Sequence, residues 1–402
     1  MRLPLLIGVL LIAISILIDI YIYFSIPRKK LLTRMPSRLL YGISSVISIS
    51  LIITVVLWPK RDLESSLLPI MWLLYAWISI YISKLVACTF SWIGLIPSIF
   101  HRKKWPLGKY AGLPIGFLIF LAMWYGALWE RHNIDVQEIT IESARIPKAF
   151  DGYRIVQFSD AHVGTWGNDT AFISSLVNKI NSLDPDIVVF TGDIVNRKTD
   201  EIIPFISTLG RLRGRHGVYS IMGNHDYGLY IDWPSEEART KDTQWLRDIQ
   251  RDMGWQLLDN QHISLKEGND SIILAGVENW GEPPFPSFGK LDEAIAGVSP
   301  DDFTVLLSHN PMHWHNIVRE CSNVDLTLAG HTHAMQMRII TPWRNYSLSG
   351  LKYPEWEGLT SYKRNDGFLS RVYVNIGCGE VGFPARIGAM PEITVITLKS
   401  SR

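Results

Sequence analysis

The hydrophobic pattern of this chain changes character once. As far as about residue 132, apolar residues follow one another almost without interruption; beyond it they come in short runs separated by polar turns. Leu3–Ile26, Leu39–Trp58 and Tyr110–Trp129 are each about 20 residues or slightly longer, the length that crosses a hydrocarbon layer of roughly 30 Å. Asp19 is the single charge among them. The stretch 67–100 is too long for one untilted span and too short for two spans with a turn. Because Lys84 interrupts it, the pattern predicts one span near 68–90 followed by an interfacial piece around "SWIGLIPSIF", with two spans as the alternative. The first segment has too long an apolar core for a cleaved signal and no small-x-small site after it, so it reads as an uncleaved anchor. Four spans, near 3–26, 39–58, 68–90 and 110–129, are therefore expected within a membrane region 1–132.

From Ile134 onward the period shortens. "YRIVQFSDAH" (153–162) and "PDIVVFTGDIVN" (185–196) are β-rich, and "TAFISSLVNKINSL" (170–183) between them has helical spacing, which makes a βαβ unit. The series continues through "GVYSIMGNHD" (217–226), a helix near 236–253, "SIILAGVEN" (271–279), "FTVLLSHNP" (303–311), "VDLTLAGHTH" (324–333), "RVYVNIGCG" (371–379) and "EITVITL" (392–398). These are enough strands for two sheets with helices outside them, an α/β class, in a domain spanning 133–402.

Five of the strands run directly into Asp, Asn or His. Asp160 and His162 follow the first, Asp193 the next, then Asn224 with His225 and Asp226, then His309, and finally His331 with His333. In open α/β sheets ligands bind beyond the carboxyl ends of strands, so these loops are expected to converge. Five of the 11 histidines occupy such positions. An imidazole, carboxylate and amide donor set without thiolate suits Mn, Fe or Zn. Seven donors exceed the need of one ion that also leaves room for water and substrate, so two divalent metals with one carboxylate between them are expected, the usual device for in-line phosphoryl displacement. Gly192, Gly223 and Gly330 each precede a proposed ligand, where the backbone must bend or pass close by. Three cysteines without Cys-x-x-Cys spacing argue against a thiolate zinc site and a disulfide framework, although a Cys321–Cys378 bridge stays open. With 39 Lys and Arg against 38 Asp and Glu there is no basic field of the kind nucleic acid requires.

"DAH", "GDIVN", "GNHD", the lone His309 and "GHTH" resemble, in order and spacing, the five signature blocks of the calcineurin-like metallophosphoesterases, over about residues 146–398. "IPKAFDGYRIVQFSDAHVG" and "GFPARIGAMPEITVITL" are similar to the membrane-anchored bacterial YkuE-like subgroup. The resemblance implies a four-layer α-β-β-α sandwich behind the membrane helices. It also implies Asp160, His162 and His333 on one metal, Asn224, His309 and His331 on the other, Asp193 bridging, and His225 as the catalytic histidine. A hydroxide shared by two dications is acidified by both and becomes a nucleophile at neutral pH. His225 is then placed to protonate the leaving oxygen. Asp226 either orients His225 or serves as a turn or cap residue, and Asn196 is expected behind the ligands, bonding loop backbone.

The expected activity is a membrane-anchored phosphoesterase acting on a monoester or diester, with lipid-linked and envelope phosphates among the candidates; the partners are a lipid bilayer and that substrate. A non-catalytic metal-binding scaffold or sensor and a nucleotide or cyclic-nucleotide phosphodiesterase are the alternatives. The loops "PRKKLLTRMPSR" and "HRKKWPLGK" are basic and "PKRDLESS" is mixed, so the positive-inside rule puts the catalytic domain outside the cytoplasm. Asp19 and Lys84 read as isolated charges able to snorkel. His313 and His315 read as structural residues on a helix after His309, and Glu278 and Trp280 as pocket-shaping. "FGKLDEAIAGVSPDDF" reads as a capping helix. The stretch 341–368 reads as a long aromatic and basic loop whose Trp343, Arg344, Tyr353, Trp356, Lys363 and Arg364 face either the membrane or substrate, or else form an ordinary solvated surface.

Overall fold

A computed structural model describes residues 5–25, 37–59, 61–64, 66–100, 106–283 and 285–401. Most of the two basic loops behind the topology expectation, 27–38 and 101–109, lies outside the described residues. The chain divides into two compact units, Met1–Trp129 with Gly382–Ile387, and Glu130–Val381 with Gly388–Arg402.

The first unit is built of helices α1 (Leu5–Ser25), α2 (Ser37–Leu57), α3 (Leu68–Ile93), the single turn α4 (Ile96–Ile99) and α5 (Pro106–Leu128). Among the described residues, four helical segments are long and apolar enough to cross a membrane. Residues 68–93 form one unbroken helix, not two spans, and the chain turns at Gly94 before the last apolar turn. Ile18, Ile52, Leu74 and Trp77 pack α1, α2 and α3 together. Gly112 and Gly116 lie one turn apart on α5, where a Cβ would stand 2.8 Å from the Ala87 carbonyl oxygen and 2.6 Å from that of Ser83. Only glycine permits that approach, the small-xxx-small contact by which helices pack tightly in lipid.

Asp19 and Lys84 correct the expectation of isolated, snorkelling charges. The Lys84 ammonium lies 2.7 Å from Asp19 Oδ1, which also accepts the Tyr41 hydroxyl at 2.6 Å, and Oδ2 accepts Tyr81 at 2.6 Å. A carboxylate among apolar helices needs its charge balanced and its lone pairs filled, and three residues from the two neighbouring helices meet both needs.

The second unit holds two six-stranded sheets. β1 (Asp135–Ser143), β14 (Glu392–Ser400), β2 (Arg154–Phe158), β3 (Ile187–Phe190), β4 (Val218–Ser220) and β5 (Trp255–Leu257) form one sheet in that spatial order. β12 (Gly358–Lys363), β13 (Leu369–Val374), β9 (Leu326–Ala329), β8 (Thr304–Leu307), β7 (Asp270–Gly276) and β6 (Gln261–Glu267) form the other. A two-residue hairpin, β10 (Ile339–Ile340) with β11 (Asn345–Tyr346), stands apart from both.

Strand alternation sorts residues into layers. Ile155, Ile187, Val189 and Tyr219 from the first sheet share a buried cluster with Leu274, Val305, Leu307 and Leu328 from the second, so these faces pack on each other. Their neighbours Val156, Phe158, Val188 and Phe190 point the other way, onto Phe172, Leu176 and Ile180 of α6 (Ala171–Ser182) and Leu246 of the helix Glu236–Asp252. Leu306, Ala329 and Val374 point outward from the second sheet onto Trp314 and Val318. Helix, sheet, sheet, helix is the expected four-layer order.

Three local readings need correction. The stretch 341–368 is not one loop: residues 358–363 form β12, whose exposure alternates because it is an edge strand covered on one face. The expected capping helix is reduced to one turn, Leu291–Ala294, because Gly297 and Pro300 prevent its continuation. Cys321 and Cys378 are both thiols, the first exposed and the second buried with its sulfur 3.3 Å from the Ser159 carbonyl oxygen.

Candidate metal centre

β2, β3 and β4 are adjacent and parallel, so the loops after Phe158, Phe190 and Ser220 leave from one edge of the first sheet. β8 and β9 are likewise adjacent and parallel in the second. Gln157 ties the two sheets near this edge, its amide nitrogen donating to the Ala329 carbonyl at 2.8 Å and to Thr191 Oγ1 at 3.1 Å. The five loops therefore meet, and they carry the residues expected from the sequence.

The side chains form two groups that share one carboxylate. Asp160, His162, Asp193 and His333 each bring one donor atom within 4.8 Å of the others, and Asp193, His309 and His331 do the same. His162 Nε2 lies 3.1 Å from His333 Nε2, and His333 Nε2 lies 3.2 Å from Asp160 Oδ1. On the other side His309 Nε2 lies 3.2 Å from Asp193 Oδ2, 3.1 Å from Asn224 Oδ1 and 3.2 Å from His331 Nδ1. All are buried except His331, which is partly exposed.

The tautomers show what such a cluster fits. The Nδ1 atoms of His162 and His309 face carbonyl oxygens, of Val195 at 3.1 Å and Thr191 at 2.8 Å, and a carbonyl only accepts. Both Nδ1 atoms therefore carry hydrogen, and the neutral ring presents a bare lone pair at Nε2. A lone pair facing another imidazole nitrogen or a carboxylate oxygen at about 3 Å is repulsive unless a proton or cation lies between them. Burial and the neighbouring His225 hold the His162 ring well below its ordinary pKa, and burial with His309 takes His331 down to about 3, so both stay neutral and able to coordinate. Burial alone would raise Asp160 and Asp193, but the imidazoles of His333 and His309 beside them keep both carboxylates ionised below their usual range. His309 moves the opposite way, to about 9: burial opposes its charge, but Asp193 outweighs burial. Ionised carboxylates and imidazoles converging on two points, with His309 keeping a proton toward Asp193 that a cation would displace, are the donor chemistry of divalent Mn, Fe or Zn.

The backbone is strained where these side chains originate. Asp160, His162, Asp193, His331 and His333 all have left-handed φ, between 40° and 74°. Such conformations cost of order 1–2 kcal/mol each and persist where surrounding contacts over-determine them. Gly192 has φ +97°, and a Cβ on it would stand 3.0 Å from His309 Nδ1 and 2.6 Å from the Gly223 amide nitrogen, so the position must be bare.

His225 lies beside the first group, its ring centroid 4.8 Å from that of His162, and its Nδ1 is 2.6 Å from the Asn196 carbonyl oxygen. Its Nδ1 therefore carries hydrogen in the neutral ring, and Nε2 is the accepting nitrogen. Asp226 does not touch this imidazole, which corrects the orienting role. Its two oxygens accept the backbone amides of Gly223 and Asp193, each at 2.8 Å, Ile194 at 2.9 Å and Val195 at 3.3 Å. It is a turn residue that clamps the "GNHD" loop to the "GDIVN" loop, and burial with the adjacent Asp193 charge raises its pKa to about 7. Asn196 Nδ2 donates to Thr165 Oγ1 and the Glu380 carbonyl, both at 3.1 Å.

His313 is buried against Ser308 Oγ at 2.9 Å and His315 pairs with Glu355 at 2.9 Å, so both have structural partners away from the two groups. Glu278 is a tether, bound to Arg247, Tyr227 and Asn260. Trp280 does line the cleft that opens beside the second group, together with Tyr230, Phe285, Lys352 and Tyr353. Sequence reasoning passed over Tyr230, whose hydroxyl accepts from Asn224 Nδ2 at 2.8 Å and whose ring stacks on His225. Tyr353, foreseen only as a membrane- or substrate-facing residue, lies 3.0 Å through its hydroxyl from His331 Nε2. A spacing of six residues after Asn224 is the one local signal for Tyr230; Tyr353 has none.

Comparison with known proteins agrees with this geometry. Residues 153–335 match the calcineurin-like phosphoesterase family, and residues 1–131 match the family described as "Probable Calcineurin-like phosphoesterase, transmembrane domain". The chain is 30% identical over 318 residues to "Uncharacterized metallophosphoesterase YkuE" of Bacillus subtilis, covering 75% of this chain and 98% of that protein. It is 29% identical over 284 residues to "Transmembrane protein with metallophosphoesterase domain" of Danio rerio, covering 69% of this chain but only 60% of that longer protein. It is 30% identical over 302 residues to the "UDP-2,3-diacylglucosamine pyrophosphatase LpxG" of Chlamydia trachomatis, covering 63% of this chain and 87% of that protein. With its signature residues gathered at one sheet edge and this span of similarity, the chain belongs to the calcineurin-like phosphoesterases and carries a membrane-helix region before the phosphoesterase domain.

Proposed function

We propose that this protein is a two-metal phosphoesterase that hydrolyses a phosphate ester carried by a lipid, with its catalytic domain on the extracytoplasmic face. The observation that carries the chemistry is the pair of donor groups sharing Asp193, in which imidazole nitrogens and carboxylate oxygens face one another. Asp160, His162 and His333 would hold one cation and Asn224, His309 and His331 the other, with Asp193 common to both groups. Divalent cations bound there would acidify water and neutralise phosphoryl oxygens. His225, held through Nδ1 by the Asn196 carbonyl, would present Nε2 toward the leaving oxygen and, in its doubly protonated form, give that oxygen the proton it needs. Tyr230 and Tyr353 fix the rings and amides of the second group from outside. Retention of the whole donor set favours an enzyme over a metal-binding scaffold.

Support for a lipid-borne substrate comes from the membrane helices, from similarity to a UDP-2,3-diacylglucosamine pyrophosphatase, and from a cleft in which Lys352 stands beside Trp280 and Phe285. A cation beside aromatic surface suits a phosphate attached to a flat or apolar group. The extracytoplasmic placement rests on the basic first and third connections.

The test is a screen of Mn-reconstituted full chain against phosphomonoesters, diesters, phospholipids and UDP-linked lipids, with metal content measured alongside. Two metals per chain and turnover of a lipid-linked substrate are expected, and Asp193→Ala should lose turnover by at least about 10³-fold, since it removes a ligand common to both ions. Full turnover by Asp193→Ala would refute the bridging role.

A further inference from the structure

Between two residues that touch the metal centre, the chain builds an appendage. It leaves at His333 through a turn, forms the β10–β11 hairpin, makes a second turn over Leu348–Leu351, and returns at Tyr353, whose hydroxyl meets His331. Polar bonds fix its underside. Ser349 Oγ donates to the Thr332 carbonyl at 3.1 Å, Arg338 Nε to the Gly388 carbonyl at 2.7 Å, and Asn345 Nδ2 to Glu357 at 2.8 Å.

Its outer side is apolar and uncovered. Trp343 at the hairpin tip is 89% exposed, Leu351 85%, Ile339 69% and Leu348 63%. Ile339 and Ile340 are consecutive and both exposed, so neither face of this strand is buried, a placement that soluble proteins normally blunt with charge. No acidic residue occurs between Gly330 and Pro354, whereas Arg338, Arg344 and Lys352 do. The Arg344 guanidinium lies over the Tyr346 ring, 4.5 Å from its centroid. Arg338 and Lys352 pair with Glu357 at 2.9 Å and Glu282 at 3.4 Å, so Arg344 is the docking cation. A tryptophan tip, aliphatic flanks and an adjoining guanidinium are the composition that settles at a headgroup layer, where the indole sits between water and hydrocarbon and the cation meets lipid phosphate. Because the chain carries helices of membrane-spanning length, a bilayer is a permanent neighbour of this protein.

We propose that this appendage is a membrane-docking element that inserts Trp343 and Leu351 into the headgroup layer of an anionic bilayer and so holds the rim of the metal cleft at the depth of lipid phosphates. Of the residues first singled out in this stretch, Trp343 and Arg344 do the docking. Tyr353 belongs to the cleft, the Trp356 carbonyl bonds Thr332 beneath it, and Arg364 is bound to Asp366 at the far end of β12. Docking does not depend on the phosphoesterase reading; only its benefit to catalysis does.

The test uses the full chain in nanodiscs with or without anionic phosphatidylglycerol, in a Cys321→Ser background, since the two remaining cysteines are buried. An environment-sensitive fluorophore is attached at Leu351→Cys, and at Glu237→Cys on an exposed helix face as control. The label at 351 should shift to the blue and be quenched by headgroup-proximal spin-labelled lipid, more strongly with anionic lipid, while the label at 237 does neither. Trp343→Asp should abolish the shift. Water-like emission at 351 in both lipids would overturn the proposal. A blue shift without quenching by lipid would overturn it as well, since it assigns the surface to a protein partner or a second copy. Neither result touches the metal centre, whose own test is metal content and turnover of a soluble ester.

Discussion

Asp226 illustrates how a single residue's function can be hidden by its neighbours in sequence. Next to His225 in "GNHD" it looks like the carboxylate that orients the imidazole, yet it faces away and gathers four backbone amides. Replacing it with Asn exchanges one accepting oxygen for an NH₂ group that faces amide hydrogens. Asp226→Asn is expected to lose about 1–3 kcal/mol of stability, measured by thermal or urea unfolding, and to weaken metal binding, because the Asp193 amide is among its partners. An unchanged midpoint and unchanged metal content would remove the clamp. The clustered Asp and His residues were legible because such residues beyond strand ends have few structural duties, but their left-handed φ was not. The run His333, Ala334, Met335 and Gln336, all at φ between 49° and 57°, contains residues with no intrinsic preference for that conformation, and it is imposed by the contacts around them.

Among elements, the clearest revision concerns α1, α2 and α3. Hydropathy identified the helices, because twenty apolar residues in a row have few other uses. It could not identify partners 65 positions apart such as Asp19 and Lys84. Removing one member leaves the other charged and uncompensated among apolar side chains, whereas removing both leaves no charge to satisfy. Asp19→Ala is therefore expected to lower the unfolding midpoint of the detergent-purified chain, by about 3–5 kcal/mol for an uncompensated buried charge. Asp19→Ala combined with Lys84→Met should recover most of that loss. Equal losses in the single and double variants would show that the four-residue cluster, rather than charge balance, sets the stability. The stretch 341–368 was misread at the same scale: β12 is short, half exposed and polar, so its strand nature depends on pairing with β13 and was invisible in its own alternation.

Across the whole second unit, the metal centre is where its two sheets are joined at one edge. The loops after β2, β3 and β4 carry candidate donors from one sheet and those after β8 and β9 from the other, with Gln157 a polar link behind them. Cations bound there cross-link both sheets and bind only the folded state. At a hundred times its dissociation constant each ion adds about 2.7 kcal/mol, so chelation should lower Tm by roughly 5–10 °C per site, with recovery on adding Mn. A Tm indifferent to chelator and metal would mean that the cluster holds no ion. Asp193→Ala should make Tm much less sensitive to both.

The sequence by itself determined the four apolar helices, the α/β class and the chemical identity of the donor set, because each depends on short-range pattern: continuous hydrophobicity, strand-length runs, and functional residues placed directly after them. It left open how closely the donors gather into two groups, that Asp226 serves backbone instead of imidazole, that Asp19 meets Lys84, and that Tyr230 and Tyr353 stand against the second group. Those are decided by tertiary structure, because each joins atoms brought together only when separate strands or helices pack, and no spacing along the chain encodes a distance across it.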